Sequence, residues 1–393
     1  MINNTSEKRQ VILYGAFDRY NYGDNLMPIL LEMYFKKEHP EKTSDIDFIF
    51  SSIMDSDLSH FSCKPSIAMT KLLSAKEGST VIVVGGEVLG ADIGTLFMHV
   101  QENLLISKLL RITRRFTPRI VTQIAKSRYK SVWDYPYIPN KKSFLNDIKV
   151  VYNTVGGHAN NSQIDVLKSA DYISVRDERT YQALPTIQNR KLVPDSVLMA
   201  SKVVDINFIS SQVRDKVKNI VGNKKFITVQ ACPYKVNFTE KELADELSNV
   251  VKSKGVNVVL LPIGYASGHD DIIFLEKVKS YANEKLLLLN DLTVWEIMYV
   301  IATSSGFYGT SLHGVITAMS FGVPHFCINS DIKKLVSFLE TWSVAPFTKP
   351  ISGTEISTAF DSVNEHSLIE LKHSVKNAQT IIYNSLEDVA KLI

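Results

Sequence analysis

Ten short apolar runs, separated by segments of helical period, dominate the chain. "QVILYGAF", "IDFIFSS", "STVIVVGG", "IKVVYNTVGG" and "DYISVRD" make one series, and "FITVQACPY", "VNVVLLPIG", "KLLLLND", "SGFYGTS" and "HFCINS" a second. Runs that are short and apolar throughout suit strands buried on both faces, and their interleaving with helices predicts parallel sheets of βαβ units. "EKELADELSNVVKSKG" is amphipathic and closes on Gly255, a helix stop before the next strand. At 393 residues the chain is too long for one ordinary domain. The expectation is therefore α/β, with two Rossmann-like, doubly wound domains over 1–200 and 201–393, a linker near Met199–Val213 and a final helix from about Ser367 to Ile393. Two such domains leave a cleft at the C-terminal ends of their strands.

Several function classes are disfavoured by composition. A formal net charge of +3 argues against a dedicated nucleic-acid binder. Cys63, Cys232 and Cys327 are scattered without C-x-x-C spacing, so neither a disulfide framework nor a zinc site is expected, and a reducing, cytoplasmic setting fits. The N-terminus lacks the basic-then-apolar order of a signal peptide, and no apolar run approaches the length of a membrane span. One stretch departs from the pattern. Asn103–Trp133 holds no acidic residue, yet carries Lys108, Arg111, Arg114, Arg115, Arg119, Lys126, Arg128 and Lys130 beside an apolar face of leucines and isoleucines. Such a segment can lie on an anionic membrane, grip an anionic ligand, or be a solvated helix packed on the first sheet.

Candidate chemistry gathers where strands end. In "GTSLHGVITAMSFGVP", a strand turns into a helix capped by Thr310 or Ser311, stopped by Gly322 and followed by Pro324. His313 then stands in the first turn, where free N–H groups around Ser311, Leu312 and Gly314 suit a phosphate or carboxylate. The helix dipole opposes imidazolium there and a bound anion would favour it; taken alone, such a histidine fits packing as well as chemistry. "YISVRDERTYQAL" delivers Arg176 at a strand end, for a grip on an anion or for a salt bridge with Asp177 or another acid. "GAFDRYNYGDNLMPILLEMYF" leads to a helix capped by Asp24 or Asn25 with Pro28 in its first turn; Asp24 could also bind sugar hydroxyls or act as a base. Gly85 and Gly86 in "VVGGEVLGAD" permit close backbone approach without forming a dinucleotide motif. His158, Asn160 and Asn161 form a similar polar loop after a Gly-Gly pair. His269, Asp270 and Asp271 end another strand, where the Asp pair could cap a helix, the reading favoured, or bind a cation.

Taken in order, "NYGDN", "VVGGE", "ISVRDE", "VPDSVL", "LLPIGYASGHDD" and "GTSLHGVITAMSFGVP" resemble the polysaccharide pyruvyl transferase family over about Val11–Ile328. S-L-H-G with G-V-P is the most specific element, and S-V-R-D the second. The resemblance implies a fold like that of GT-B glycosyltransferases. It also implies transfer of pyruvate from phosphoenolpyruvate onto two hydroxyls of a sugar, giving a cyclic ketal and phosphate without metal or cofactor. The acceptor would be a surface polysaccharide or its lipid-linked precursor, with a possible docking of the basic segment on the inner membrane face. On this resemblance His313 matches the essential histidine and Arg176 an arginine that holds phosphoenolpyruvate. Asp24 joins His313 as a catalytic candidate. Ser311, Leu312, Gly314, Lys235, Gly85, Gly86, Glu87 and Asn25 join Arg176 in binding substrate, with the first domain on the acceptor side and the second on the phosphoenolpyruvate side.

This chain departs from the family pattern twice. Many members carry Arg where Ser311 stands, which makes Lys235 a candidate replacement cation, and a third glycine is replaced by Glu87. A GT-B sugar-nucleotide glycosyltransferase with Asp24 as base, and an inactive carbohydrate-binding relative, are the alternative readings.

Overall fold

The computed structural model describes residues 8–99, 104–222, 224–265 and 271–393. All ten apolar runs contain strands. β1 (Arg9–Tyr14), β2 (Ile46–Ser52), β3 (Ile67–Ala68), β4 (Thr80–Val83), β5 (Gly86–Leu89), β6 (Lys149–Gly157), β7 (Tyr172–Val175) and β8 (Lys191–Leu192) build a first sheet. β9 (Phe226–Gln230), β10 (Asn257–Leu260), β11 (Leu287–Leu288), β12 (Phe307–Gly309) and β13 (His325–Cys327) build a second. The first runs β3-β2-β1-β4-β6-β7-β8, with β5 beside β6, and the second β11-β10-β9-β12-β13. Pairing is parallel, as in Val11 opposite Phe48 and Thr80, and Phe307 opposite Thr228. β1 lies between β2 and β4, and β9 between β10 and β12; at such reversals of strand order a crevice opens beyond the carboxyl ends.

Two local features aim residues at that crevice. β6 shifts register between Tyr152 and Val155, where Thr154 takes φ 49°. A β-branched residue seldom adopts this conformation, and here Ser174 Oγ accepts its N–H at 2.9 Å. Beyond the shift β6 pairs with β5, which carries Glu87. The helix Tyr22–Glu38 follows β1 and points its N-terminus at the same place. The cap expected at Asp24 or Asn25 does not form: Asn21 is the N-cap, without a side-chain hydrogen bond. Pro28 lies in the helix interior, past the first turn, where its missing N–H leaves the Asp24 carbonyl without its helical partner.

The two halves share one core. Tyr22, Leu26 and Leu30 of the first helix pack in the same cluster as Leu312, Val315 and Met319 of the helix Leu312–Ser320 that follows β12. Tyr22 Oη lies 2.9 Å from Thr317 Oγ1, and Tyr20 Oη donates to the Leu292 carbonyl at 2.9 Å. Met199–Val213, expected as a linker, folds into the short helices Ala200–Val203 and Ile206–Ser211, with Met199, Ala200 and Ile209 buried in that core. It is a packed connector rather than an exposed tether.

The long helix Glu365–Ala390 closes the molecule by returning to the first sheet. Its N-cap Asn364 accepts the Ser367 N–H. Ser385 Oγ meets Tyr172 Oη at 2.6 Å, Asp388 pairs with Lys191 at 2.7 Å, and the Leu392 carbonyl accepts from Thr80 Oγ1 at 2.6 Å. Leu371, Ile382, Leu386 and Val389 bury its inner face. No helix among the described residues is long and apolar enough to cross a membrane. Truncating Ile382, which is fully buried, deletes methyl groups from a packed interior. Ile382→Ala is expected to cost about 2–5 kcal/mol, read as a lowered urea midpoint with an unchanged slope.

Candidate active site

A cavity of about 340 Å³ opens where the strand ends of the two sheets face each other. His313, Asp24, Arg176, Ser311, Leu312, Lys235, Gly85, Gly86 and Glu87, all singled out in the sequence, line it together. Asn25 and Gly314 do not. The Asn25 amide is turned away, donating to the carbonyls of Arg19 at 2.9 Å and Asn21 at 3.0 Å. The Gly314 N–H is taken by Ser311 Oγ at 3.3 Å, and a Cβ at Gly314 would strike the Phe307 ring. His269 and Asp270 lie outside the described residues. Asp271 accepts from Gln230 Nε2 at 2.8 Å and from the N–H groups of Ile263 and Gly264, so it ties together the ends of the neighbouring strands β9 and β10 instead of capping its own helix.

His313 is housed by both halves of the molecule. It stands in the first turn of Leu312–Ser320, where Ser311 is the N-cap, as its sequence predicts. Its ring lies directly against Gly23: a Cβ added there would sit 1.8 Å from Nδ1. Only glycine leaves room for that contact. On the other side, Nε2 comes within 3.5 Å of Asp195 Oδ2, an ion-pair distance without a completed hydrogen bond. Asp195 was not among the candidates. Its carboxylate is fully buried and also accepts the Val197 N–H at 3.0 Å. Burial pushes this carboxyl up, but His313, Arg176 and the Val197 N–H outweigh it and hold it below its ordinary range.

Arg176 is more committed than its sequence context suggests. The residue is 1% exposed. Its guanidinium meets Glu87 at 2.7 Å, Asp195 at 3.2 Å and Asp177 at 3.8 Å, while Trp342 Nε1 donates to its carbonyl at 2.7 Å. Glu87 spans Arg176 and Arg179, the latter at 2.6 Å. A side chain at Gly156 would collide with both Arg176 and Glu87, so this close backbone approach makes space for the pair. Burial raises the Glu87 carboxyl, and Arg176, Lys334 and Arg179 together pull it down to about 2. Glu87 thus brings a charge that neutralises arginine to the junction of β4 and β5.

Positive charge without a carboxylate partner comes from other elements. Lys235 and Lys334 both line the cavity, and neither ammonium has a hydrogen bond or ion pair among the described residues. Burial, with Lys235 and Arg176 nearby, pushes the Lys334 ammonium down to about 8, against the opposing pull of Glu87 and Asp24. Arg19 lines the first-domain wall. Arg19 stood inside the quoted stretch "GAFDRYNYGDNLMPILLEMYF" but was passed over for Asp24, and Lys334 had no motif around it, being one of two lysines opening the ordinary helix Lys333–Trp342. With two helix N-termini entering the same space, the arrangement can seat a small, highly charged anion beside a histidine backed by a buried carboxylate.

Fold and site define a two-domain Rossmann-like protein whose cleft carries a histidine–aspartate pair and unpaired cations. The chain belongs to the polysaccharide pyruvyl transferase family, whose profile matches residues 21–332. Comparison with curated proteins finds no match. Among solved structures, the S. aureus MnaA–UDP co-structure is 12% identical, with 98% of each chain covered and a TM-score of 0.53. UDP-GlcNAc 2-epimerase from Neisseria meningitidis bound to UDP-GlcNAc is 13% identical over 96% of this chain and 99% of that one, with a TM-score of 0.51. At these identities the likeness establishes the fold, which is GT-B-like as expected.

A half-buried lysine displaced from its ordinary 10.5 to about 8 opposes folding wherever it is charged, so stability rises as pH climbs between those values. Lys334→Met is expected to raise the melting temperature at pH 7 while weakening binding of inorganic sulfate, whose own charge is constant in this range. In the unmodified protein sulfate affinity should fall as pH passes about 8, and in the variant it should be flat there; calorimetric titration from pH 7 to 9.5 reads both.

Proposed function

We propose that this protein transfers pyruvate from phosphoenolpyruvate to two hydroxyls of one sugar, in a surface polysaccharide or its lipid-linked precursor, forming a cyclic ketal. One observation carries the reading beyond family membership: a histidine with a buried carboxylate behind it stands beside two lysines that lack partners. Phosphoenolpyruvate is small and carries both phosphate and carboxylate. Lys235, Lys334 and the N–H groups of the first turn of Leu312–Ser320 are groups that stabilise such an anion. In this reading Lys334 supplies the cation that many relatives place where Ser311 stands. Arg176 acts mainly by holding Asp195 and Glu87, since its guanidinium is already occupied. Asp24, Gly85 and Gly86, on the first-domain wall, receive the sugar.

The chemistry needs a proton donor and a way to stabilise positive charge. The first sugar hydroxyl attacks C2 of phosphoenolpyruvate as C3 gains a proton from His313, and the proton released by the attacking oxygen restores the imidazolium. The C2–O bond to phosphate then breaks, leaving an oxocarbenium-like centre that the substrate carboxylate and nearby Asp24 stabilise. Attack by the second hydroxyl closes the ketal, and its proton leaves with phosphate. His313 is the acid that protonates C3. Asp195 stabilises the imidazolium and fixes the ring, as a buried carboxylate does for a catalytic histidine elsewhere. No metal or cofactor enters this scheme.

Incubation with phosphoenolpyruvate and candidate surface glycans tests it, reading phosphate release together with a mass gain of one pyruvyl ketal. His313→Ala should abolish both with the fold retained, and Asp195→Asn should lower kcat by about 10²–10⁴-fold. Unchanged turnover in His313→Ala overturns the assignment. Thermal stabilisation by a nucleotide sugar but not by phosphoenolpyruvate would point to glycosyl transfer instead.

A further inference from the structure

The basic segment forms two helices, Leu104–Phe116 and Pro118–Tyr129, joined at Thr117. Their inward positions are already filled. Leu110 and Val121 pack with Met98, while Ala125 and Tyr129 join the core of the first sheet, Tyr129 against Phe97. Yet the same helices carry a second apolar set that faces solvent: Leu109 at 64% exposure, Ile112 at 58%, Phe116 at 77%, Ile120 at 47% and Ile124 at 44%. Their spacing of three and four residues keeps them on one side of each helix. The core does not account for them.

Charge distinguishes the partners that could cover this face. Arg114 pairs with Asp92 and Lys126 with Asp134, both at 2.8 Å. Arg115, Arg119, Arg128 and Lys130 have no ion pair or hydrogen bond from their side chains among the described residues, and no acidic residue occurs from Asn103 to Trp133. A second copy of this face would bring like charges together around the apolar residues. An anionic lipid surface would satisfy both sets, seating the apolar side chains among acyl chains and the arginines among phosphate headgroups.

We infer that this helical hairpin docks the protein on anionic phospholipid bilayers. The helix Ile93–His99 connects the hairpin to the site: Met98 and Phe97 touch the hairpin, and Leu96 lines the cavity. A docked hairpin therefore holds the first-domain wall of the cleft next to the lipid surface, where a lipid-linked glycan presents its sugar. That consequence rests on the proposed transfer reaction; the docking itself does not.

Co-sedimentation of the full chain with vesicles separates the two. The protein should pellet with vesicles of phosphatidylcholine mixed with phosphatidylglycerol and not with phosphatidylcholine alone, with binding that weakens as salt rises. Arg115→Glu/Arg119→Glu should reduce partitioning at least about tenfold, and Phe116→Ser/Ile120→Ser should do likewise. Leu145→Ser, at an 80% exposed leucine outside the hairpin, should leave it unchanged. All substituted side chains are exposed, and unchanged melting temperatures verify folding. Failure to pellet with either vesicle, equal pelleting with phosphatidylcholine alone, or undiminished binding of Phe116→Ser/Ile120→Ser overturns the inference. So does self-association by sedimentation velocity that this double variant abolishes, which would assign the face to a second copy. Loss of vesicle binding with intact ketal transfer removes only the docking, and vesicle binding without ketal transfer removes only the proposed reaction.

Discussion

A carboxylate shut away from water, Asp195, lies between Arg176 and His313, and much of the cleft follows from making that charge tolerable. Desolvating a carboxylate is costly, and removing one partner of a buried pair typically costs about 3–5 kcal/mol. Here the compensation extends outward in series, through Arg176 to Glu87 and from Glu87 to Arg179 near the surface. β5, whose pairing depends on the displaced register of β6, carries Glu87 to its place. The distorted backbone at Thr154 is thus connected, through three charged side chains, to the orientation of one imidazole.

The sheets were legible because their strands are buried on both faces, so each prints an apolar run of its own length into the chain. β3 and β8, two residues each, were not legible: pairing at a sheet edge is decided by neighbours rather than by local composition. The helix start near Tyr22 was misplaced because Asn21, Asp24 and Asn25 are equally good capping residues, so local preference does not choose among them. A tertiary contact marks the start instead, since Asn21 bridges to Gly264 of the other half. Among site residues, those carried by motifs at strand ends gathered in one cavity. Asp195 stood inside a quoted motif, "VPDSVL", but aspartate before a short helix signals a cap, and it does cap Val197. Its second role depends on residues distant in sequence. Lys334 offered no local signal at all, because its unusual environment is assembled by Lys235, Arg176, Glu87 and Asp24 from four other segments.

The cleft also shows how charge is divided between stability and chemistry. Arg176 and Arg179 are matched by Glu87 on the first-domain side, whereas the lysines of the second half have no ion pair among the described residues. A matched pair holds structure and has little left to offer a ligand. An unmatched, partly desolvated ammonium is a cost to the empty protein that a bound anion relieves.

Gly23 and His313 meet across the seam between the halves, one at the head of the first helix and the other at the head of the helix after β12. Neither half alone encloses the ring. If the seam parts, the imidazole loses the wall that Gly23 provides while keeping Asp195, which belongs to the chain leaving the first sheet, only so long as that connector stays packed. The position of the imidazole is therefore set by the fit of the two halves to each other and not by either half alone.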